Sequence, residues 1–237
     1  MVDRLEFLQD QLELNSTKAK HEFVGKAPTI LTFTKDLLEE KIMRYQLSSL
    51  GLTKREVAKV IRKQPTLLGS SIENNLEPSL KWLIDRFGQS AAEKMVTALP
   101  AILAYSVRNK LESQMQYFQE RFPLDDDELV SLVSERPQLF TVAQSTMEEK
   151  IQFFIEFVGG GEADAMEQIL QCLVALTYSL KKRLRSRWEE VLELELPQHG
   201  FTVPMSSLAS YPPARWEKYL DRRRKLIVER KAEHQSF

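Results

Sequence analysis

The chain of 237 residues predicts an all-α fold: a helical-repeat solenoid, or superhelix, of about five two-helix units joined by tight turns. Three observations lead there. Prolines recur at Pro28, Pro65, Pro100 and Pro137, in steps of 37, 35 and 37 residues, and a further step of 37 reaches Val174. Each mark opens a short apolar step (PTILTF, PTLLGSS, PAILAYS, PQLFTVA, VALTYS), followed by apolar residues on helical spacing. Only eight glycines occur, and no sustained alternation of β-branched and polar residues argues for a large sheet.

In chain order, residues 1–27 read as a capping helix or partial repeat, with Leu5, Leu8 and Leu12 on one helical face and a weak helix over 17–27. Residues 28–196 carry the repeats. The first clear second helix spans 36–47. The next unit, 50–83, is the sharpest: Thr53 and Glu56 form a capping box, and Val57, Val60 and Ile61 make the apolar stripe. Pro65 then ends the helix, because it has no N–H and its ring crowds the preceding turn. Leu67 and Leu68 plug the gap between units, and Ser70 or Ser71 caps the following helix. Pro78 inside that helix predicts a bend or a late start. The third unit opens on Ser90 and Glu93, read as a second capping box, and the fourth on Asp125, Asp126, Asp127 and Glu128. The fifth follows Gly159, Gly160 and Gly161. The third residue after each mark is Leu31, Leu68, Leu103, Phe140 and Thr177, the set expected to seal successive units. Residues 197–237 read as a loop with four prolines and a basic capping helix over 213–231.

Net charge is −1, so the whole chain is no polycation. From Ala175 onward, however, 13 Lys and Arg face 8 Asp and Glu, against 20 and 26 before it. A basic end on an acidic body points to a polyanion partner at that end. The single cysteine, Cys172, excludes an internal disulfide and an all-cysteine metal site, and its apolar surroundings predict a buried thiol. No apolar run reaches the ~18 residues that span a bilayer, so no membrane partner is expected. The amino terminus is too acidic for a secretory signal or a transit peptide, so the chain is either not imported or a mature or truncated form.

LGLTKREVAKVIRKQ followed by PTLLGSSIENNLEPSLKWL resembles the repeat of the mitochondrial transcription termination factor (mTERF) family. LTYSLKKRLRSRWEEVLEL is similar to that family's later, basic repeats, and SLASYPPARWEKYL to the segment that closes many members. The resemblance covers residues 28–220. It implies pairs of α-helices with a short 3₁₀ turn between them, and a positively charged groove that binds double-stranded DNA or RNA. It also implies a role in transcription termination or regulation, or in RNA processing, in a mitochondrion or chloroplast. Val174, where the family has proline, departs from the pattern.

Candidate phosphate contacts are Lys181, Lys182, Arg183, Arg185 and Arg187 after the fifth mark, Arg108 and Lys110 at the matching place in the third repeat, and Arg222, Arg223 and Arg224 near the end. Arginine forks suit phosphate oxygens and lysine adds point charge. Lys81 and Lys150 are weaker companions; Trp82, Trp188 and Trp216 read as core anchors. The acidic run at 125–128 suits a helix's first turn without a metal. His21, His199 and His234 lack ligand spacing, and the triple glycine lacks the Lys-Ser or Lys-Thr of a phosphate loop. No catalytic, metal or cofactor residues are expected, nor is an enzyme. A monomer that binds nucleic acid, with room for protein partners, is the first reading. A helical-repeat scaffold for protein interaction without nucleic acid stays open, supported by the near-zero net charge.

Overall fold

The structure, a computed structural model, describes residues 2–46, 51–158, 161–194, 196–197 and 202–234, so Gly159, Gly160 and His199 lie outside the described residues. Two compact units divide the chain, Met1–Thr141 and Val142–Phe237. In the first, α1 (Val2–Leu12) precedes α2 (Thr17–Lys26), α3 (Lys35–Gln46), α4 (Lys54–Lys63), α5 (Glu77–Phe87), α6 (Gln89–Ala98), α7 (Ser113–Arg121) and α8 (Asp126–Glu135). The second holds α9 (Gln144–Val158), α10 (Glu162–Gln171), α11 (Ser186–Glu193), α12 (Met205–Ser210) and α13 (Pro213–His234). No strand occurs among the described residues.

Between the helices of each pair lies a five-residue 3₁₀ turn: Pro28–Thr32, Pro65–Gly69, Pro100–Ala104, Pro137–Thr141 and Leu173–Thr177. The residue before a proline is driven out of the α region, which stops the preceding helix; Gln64 and Leu99 sit at φ/ψ of −131/75 and −130/77. Each turn then closes on a carbonyl three residues back, as in Leu67 N–H to the Gln64 carbonyl at 3.1 Å. The fifth turn corrects the expected register by one residue. It opens at Leu173, not Val174, so the last step is 36 residues and Tyr178 and Ser179 match Tyr105 and Ser106. The sealing residue there is Leu176, fully buried, and not the half-exposed Thr177. Ladder geometry, rather than the proline, sets the frame: Cys172 keeps φ/ψ of −139/50 although leucine follows it.

Three second helices begin with a π turn, Ile72–Leu76, Val107–Glu112 and Leu180–Arg185, each capped by a serine. The hydroxyls of Ser71, Ser106 and Ser179 accept the N–H groups of Asn74, Asn109 and Lys182, and each serine carbonyl accepts from the fifth residue onward. Pro78 thereby falls in the first turn of α5, where its missing N–H costs little. The same π turn forms at Val107 and Leu180 without any proline. The capping boxes at Thr53–Glu56 and Asp125–Glu128 form. The one expected at Ser90–Glu93 does not, because Gly88, at φ 79°, both ends α5 and starts α6 and leaves Ser90 inside the helix.

Leu67, Leu68, Ile102, Leu103, Leu139 and Phe140 are buried, as the sealing pattern requires. Phe140 packs edge-on against Trp82 and Phe118, with centroids 6.2 and 6.3 Å apart. A second, polar seam was not legible in the sequence. The Lys41 ammonium donates to the Ser70 carbonyl at 2.8 Å, the Ser79 hydroxyl to Tyr105 at 2.9 Å, and the Lys150 ammonium to Leu176 at 2.6 Å. Each side chain rises from a second helix and reaches the turn that follows. Ser79 and Lys41 stand eight and seven residues after their caps, Ser71 and Thr34, and the π turn accounts for the extra residue. Gln114 and Arg187 hold the same place after Ser106 and Ser179.

Candidate nucleic-acid interface

The basic helix start of the fifth repeat divides by face. Lys181, Lys182 and Arg185 are exposed; Arg183 is half-buried and Arg187 is buried. Arg183 and Arg187 are four residues apart and so share a helix face. That face turns toward the C-terminal segment: Arg183 lies 4.1 Å over the Tyr178 ring and donates to the Ala209 carbonyl at 3.4 Å.

Arg187 departs from the expected phosphate contact. It is only 6% exposed, and its guanidinium donates to the Leu208 carbonyl at 2.7 Å and the Tyr211 carbonyl at 2.6 Å. The group also stacks 5.1 Å from Trp216. Burial, with the charge of Arg183 second, presses its pKa below the usual arginine value; a guanidinium nevertheless stays charged. Its donors are turned inward, away from any ligand in solvent.

On α13 and its lead-in, a tyrosine and an arginine alternate every fourth residue: Tyr211, Arg215, Tyr219, Arg223. Four-residue spacing stacks them on one face. Arg215 lies 4.2 Å over Tyr211 and Arg223 5.0 Å over Tyr219. Tyr211 and Tyr219 meet edge-on at 6.1 Å, and Trp216 stacks on Tyr219 at 5.4 Å. The Tyr211 phenol is pulled below its ordinary pKa by its hydrogen bond with Ser207 first, then by the charges of Arg215 and Arg222. Arg222 and Arg224 are exposed, and Arg224 pairs with Asp221 at 2.7 Å. Among the described residues, Arg183, Arg185, Arg215 and Arg222 have no carboxylate partner. The candidates Arg183, Arg222 and Arg223 thus fall in one unit with Tyr178 and with Arg215, Tyr211 and Tyr219; sequence reasoning missed the last three. The four-residue Tyr/Arg spacing was the signal.

Arg108 and Lys110 belong to the first unit. Arg108 is exposed on the rim of a polar cleft of about 340 Å³ lined by Asn74, Asn75, Tyr105 and Ser106, and Lys110 is half-buried in the same π turn. The two weaker companions are engaged elsewhere. Lys81 pairs with Asp85 at 2.6 Å, and Lys150 is 4% exposed in the polar seam, where burial lowers its pKa. Trp216 is buried, its indole N–H donating to Glu190 at 2.8 Å, whereas Trp82 and Trp188 are half-buried against Phe87 and Phe157. Of the acidic run, Asp125 and Glu128 cap α8 and Asp126 binds Arg86 and Gln119. No helix among the described residues is long and apolar enough to cross a membrane.

Comparison with known proteins agrees with this architecture. The transcription termination factor MTERF8, chloroplastic, of Arabidopsis thaliana is 22% identical over 221 residues, which cover 93% of this chain and 42% of that protein. The chain therefore spans less than half the length of the curated relative it matches. The mTERF family profile matches residues 1–93 and 86–212, nearly the whole chain. With five 3₁₀-linked helix pairs and that match, the chain belongs to the mTERF family.

Proposed function

We propose that this chain binds double-stranded DNA or RNA through the cationic surface of its second unit, and that it regulates organelle gene expression by doing so. The observation that carries the reading is the Tyr–Arg stripe of α13 and its lead-in, tied to the Arg183 helix face through the Ala209 and Tyr211 carbonyls, with Lys181, Lys182 and Arg185 exposed on the same helix start. A guanidinium resting on a tyrosine face loses little freedom when it meets a phosphate, and its N–H edges stay available. A guanidinium already lies over each of the Tyr178, Tyr211 and Tyr219 rings, so the reading assigns the rings to holding the cations and not to stacking nucleobases. Phosphate contact positions a protein without reading sequence; the reading is therefore sequence-tolerant binding. The chloroplastic relative supports an organelle setting, and its printed name supports transcription termination as the process.

The test is a salt titration of binding to mixed-sequence duplex DNA and duplex RNA. Neutralising six phosphates, one each for Lys181, Lys182, Arg183, Arg185, Arg215 and Arg222, gives a log–log slope of about −5 on DNA. Changing Arg183, Arg215 and Arg222 together to Ala should bring the slope to about half that value. An unchanged slope in the triple variant removes this surface from the argument. A wild-type protein that binds neither duplex at low salt favours the protein-interaction scaffold, which the −1 net charge accommodates.

A further inference from the structure

We infer that Arg187 is a positioning residue: it fastens α12 and the head of α13 as the next rung after the fifth turn, and so holds the Tyr–Arg stripe beside Arg183. The inference rests on the function proposed above for what that surface binds.

The polar seam supplies the argument. At the same helical place, Lys41, Ser79 and Lys150 each donate to a carbonyl within, or immediately after, the turn that follows. Among the described residues, no sixth turn of the usual kind follows α11. Arg187 instead reaches two carbonyls at the end of α12, those of Leu208 and Tyr211. The segment imitates a repeat turn: Pro204 precedes it as Pro100 opens the third turn, Leu208 and Ala209 are fully buried, and it packs on Leu173–Thr177. The Cys172 sulfur, 3.8 Å from the Ser210 hydroxyl, lies in the same contact.

Six residues are too few for a helix to persist by its own hydrogen bonds. The last carbonyls of a helix have no partner within it. Arg187 satisfies one of them, and its planar fork reaches the Tyr211 carbonyl beyond the helix at the same time. Lysine's ammonium is a single donor centre and lacks the two-edged fork whose separate nitrogens meet the two carbonyls here. Tyr211 is the hinge of the argument, because the residue whose carbonyl Arg187 grips also begins the stripe. Without that grip, Tyr211 and Arg215 lose their fixed relation to Arg183, and phosphate contacts spread over both elements are no longer made by one rigid surface.

The experiment is a double-mutant cycle between Arg187→Lys and Arg215→Ala with Arg222→Ala, read as affinity and salt slope on mixed-sequence duplex DNA. Arg187→Lys keeps charge and much of the volume; far-UV circular dichroism establishes that it folds. The expected result is a fall in affinity of about tenfold in Arg187→Lys, a slope shallower by about 2, and no further loss when Arg215 and Arg222 are then removed. Limited proteolysis should cut 202–215 faster in the variant and leave Met1–Thr141 unchanged. Wild-type affinity and slope in Arg187→Lys, or additive losses in the cycle, overturn the inference while the nucleic-acid reading stands. A wild-type protein that binds no duplex overturns both. If Arg187→Lys does not fold, hydrogen exchange of the wild-type chain decides: amides of 205–216 exchanging with free-loop rates refute the rung, and protection equal to that of 173–177 supports it.

Discussion

Gln114 offers a prediction whose sign runs against the usual effect of a core substitution. It is 2% exposed on α7, at the seam position where Ser79 and Lys150 find carbonyl partners, yet its Nε2 donor has none. An unpaired buried donor costs about 1–3 kcal/mol. Methionine has the same unbranched reach and fills nearly the same space, so Gln114→Met removes the donor without opening a cavity. Stability of the first unit should rise by about 1–2 kcal/mol, and the melting temperature by about 2–4 °C for each kcal/mol in a chain of this size. Ser79→Ala is the matched control. It deletes a 2.9 Å hydrogen bond and leaves the Tyr105 carbonyl unanswered, for an expected loss of about 1 kcal/mol. Urea denaturation followed by far-UV circular dichroism reads both. Opposite signs at equivalent positions support the reasoning. A Gln114→Met variant less stable than its parent would refute it, because the amide would then have to be bonded in solution.

Three further outcomes are expected. Leu103→Asp, which places an unpartnered carboxylate where the parent side chain is 2% exposed, should cost about 4 kcal/mol or more and unfold the repeats around it; a parental melt contradicts this. Thr53→Ala removes the hydroxyl that caps α4 and should cost about 1 kcal/mol, with faster amide exchange confined to the first turn of Lys54–Lys63; unchanged exchange there argues against the cap. The carboxyl of Asp126 is held below its ordinary pKa, first by its hydrogen bond with Arg86. A depressed folded pKa means that the pair's stabilisation is present above the ordinary carboxylate range and lost as pH falls through the folded value. The melting difference between wild type and Arg86→Ala should accordingly vanish in acid, and one that persists there rejects the pair as its source.

Much of the architecture could be read before any coordinates. Pro65, Pro100 and Pro137 stop helices for a local reason, the missing N–H, and Thr53–Glu56 announces a helix start within four residues. The apolar period marks Leu67, Leu68 and Leu103 as buried because only one face of each helix can be covered. Ser90 misled for an equally local reason: Gly88 had already turned the chain. The fifth turn was misread by one residue because proline was used as the mark, whereas Tyr178 and Ser179 hold the frame.

What the sequence by itself determined is the period, the helix pairs and the concentration of positive charge toward the end of the chain; all three depend on neighbours within a few turns. Only the tertiary structure decided which cations face solvent. Arg183, Arg185 and Arg187 are alike in sequence, and the period says merely that Arg183 and Arg187 share a face and Arg185 does not. Arg187 is withdrawn because α12 and the residue after it, some twenty residues later, bring two carbonyls against its face, whereas Arg185 meets only the Phe153 ring at 5.8 Å and stays exposed. Burial of a charge depends on the partners that arrive to meet it, and those come from distant chain that no local spacing encodes.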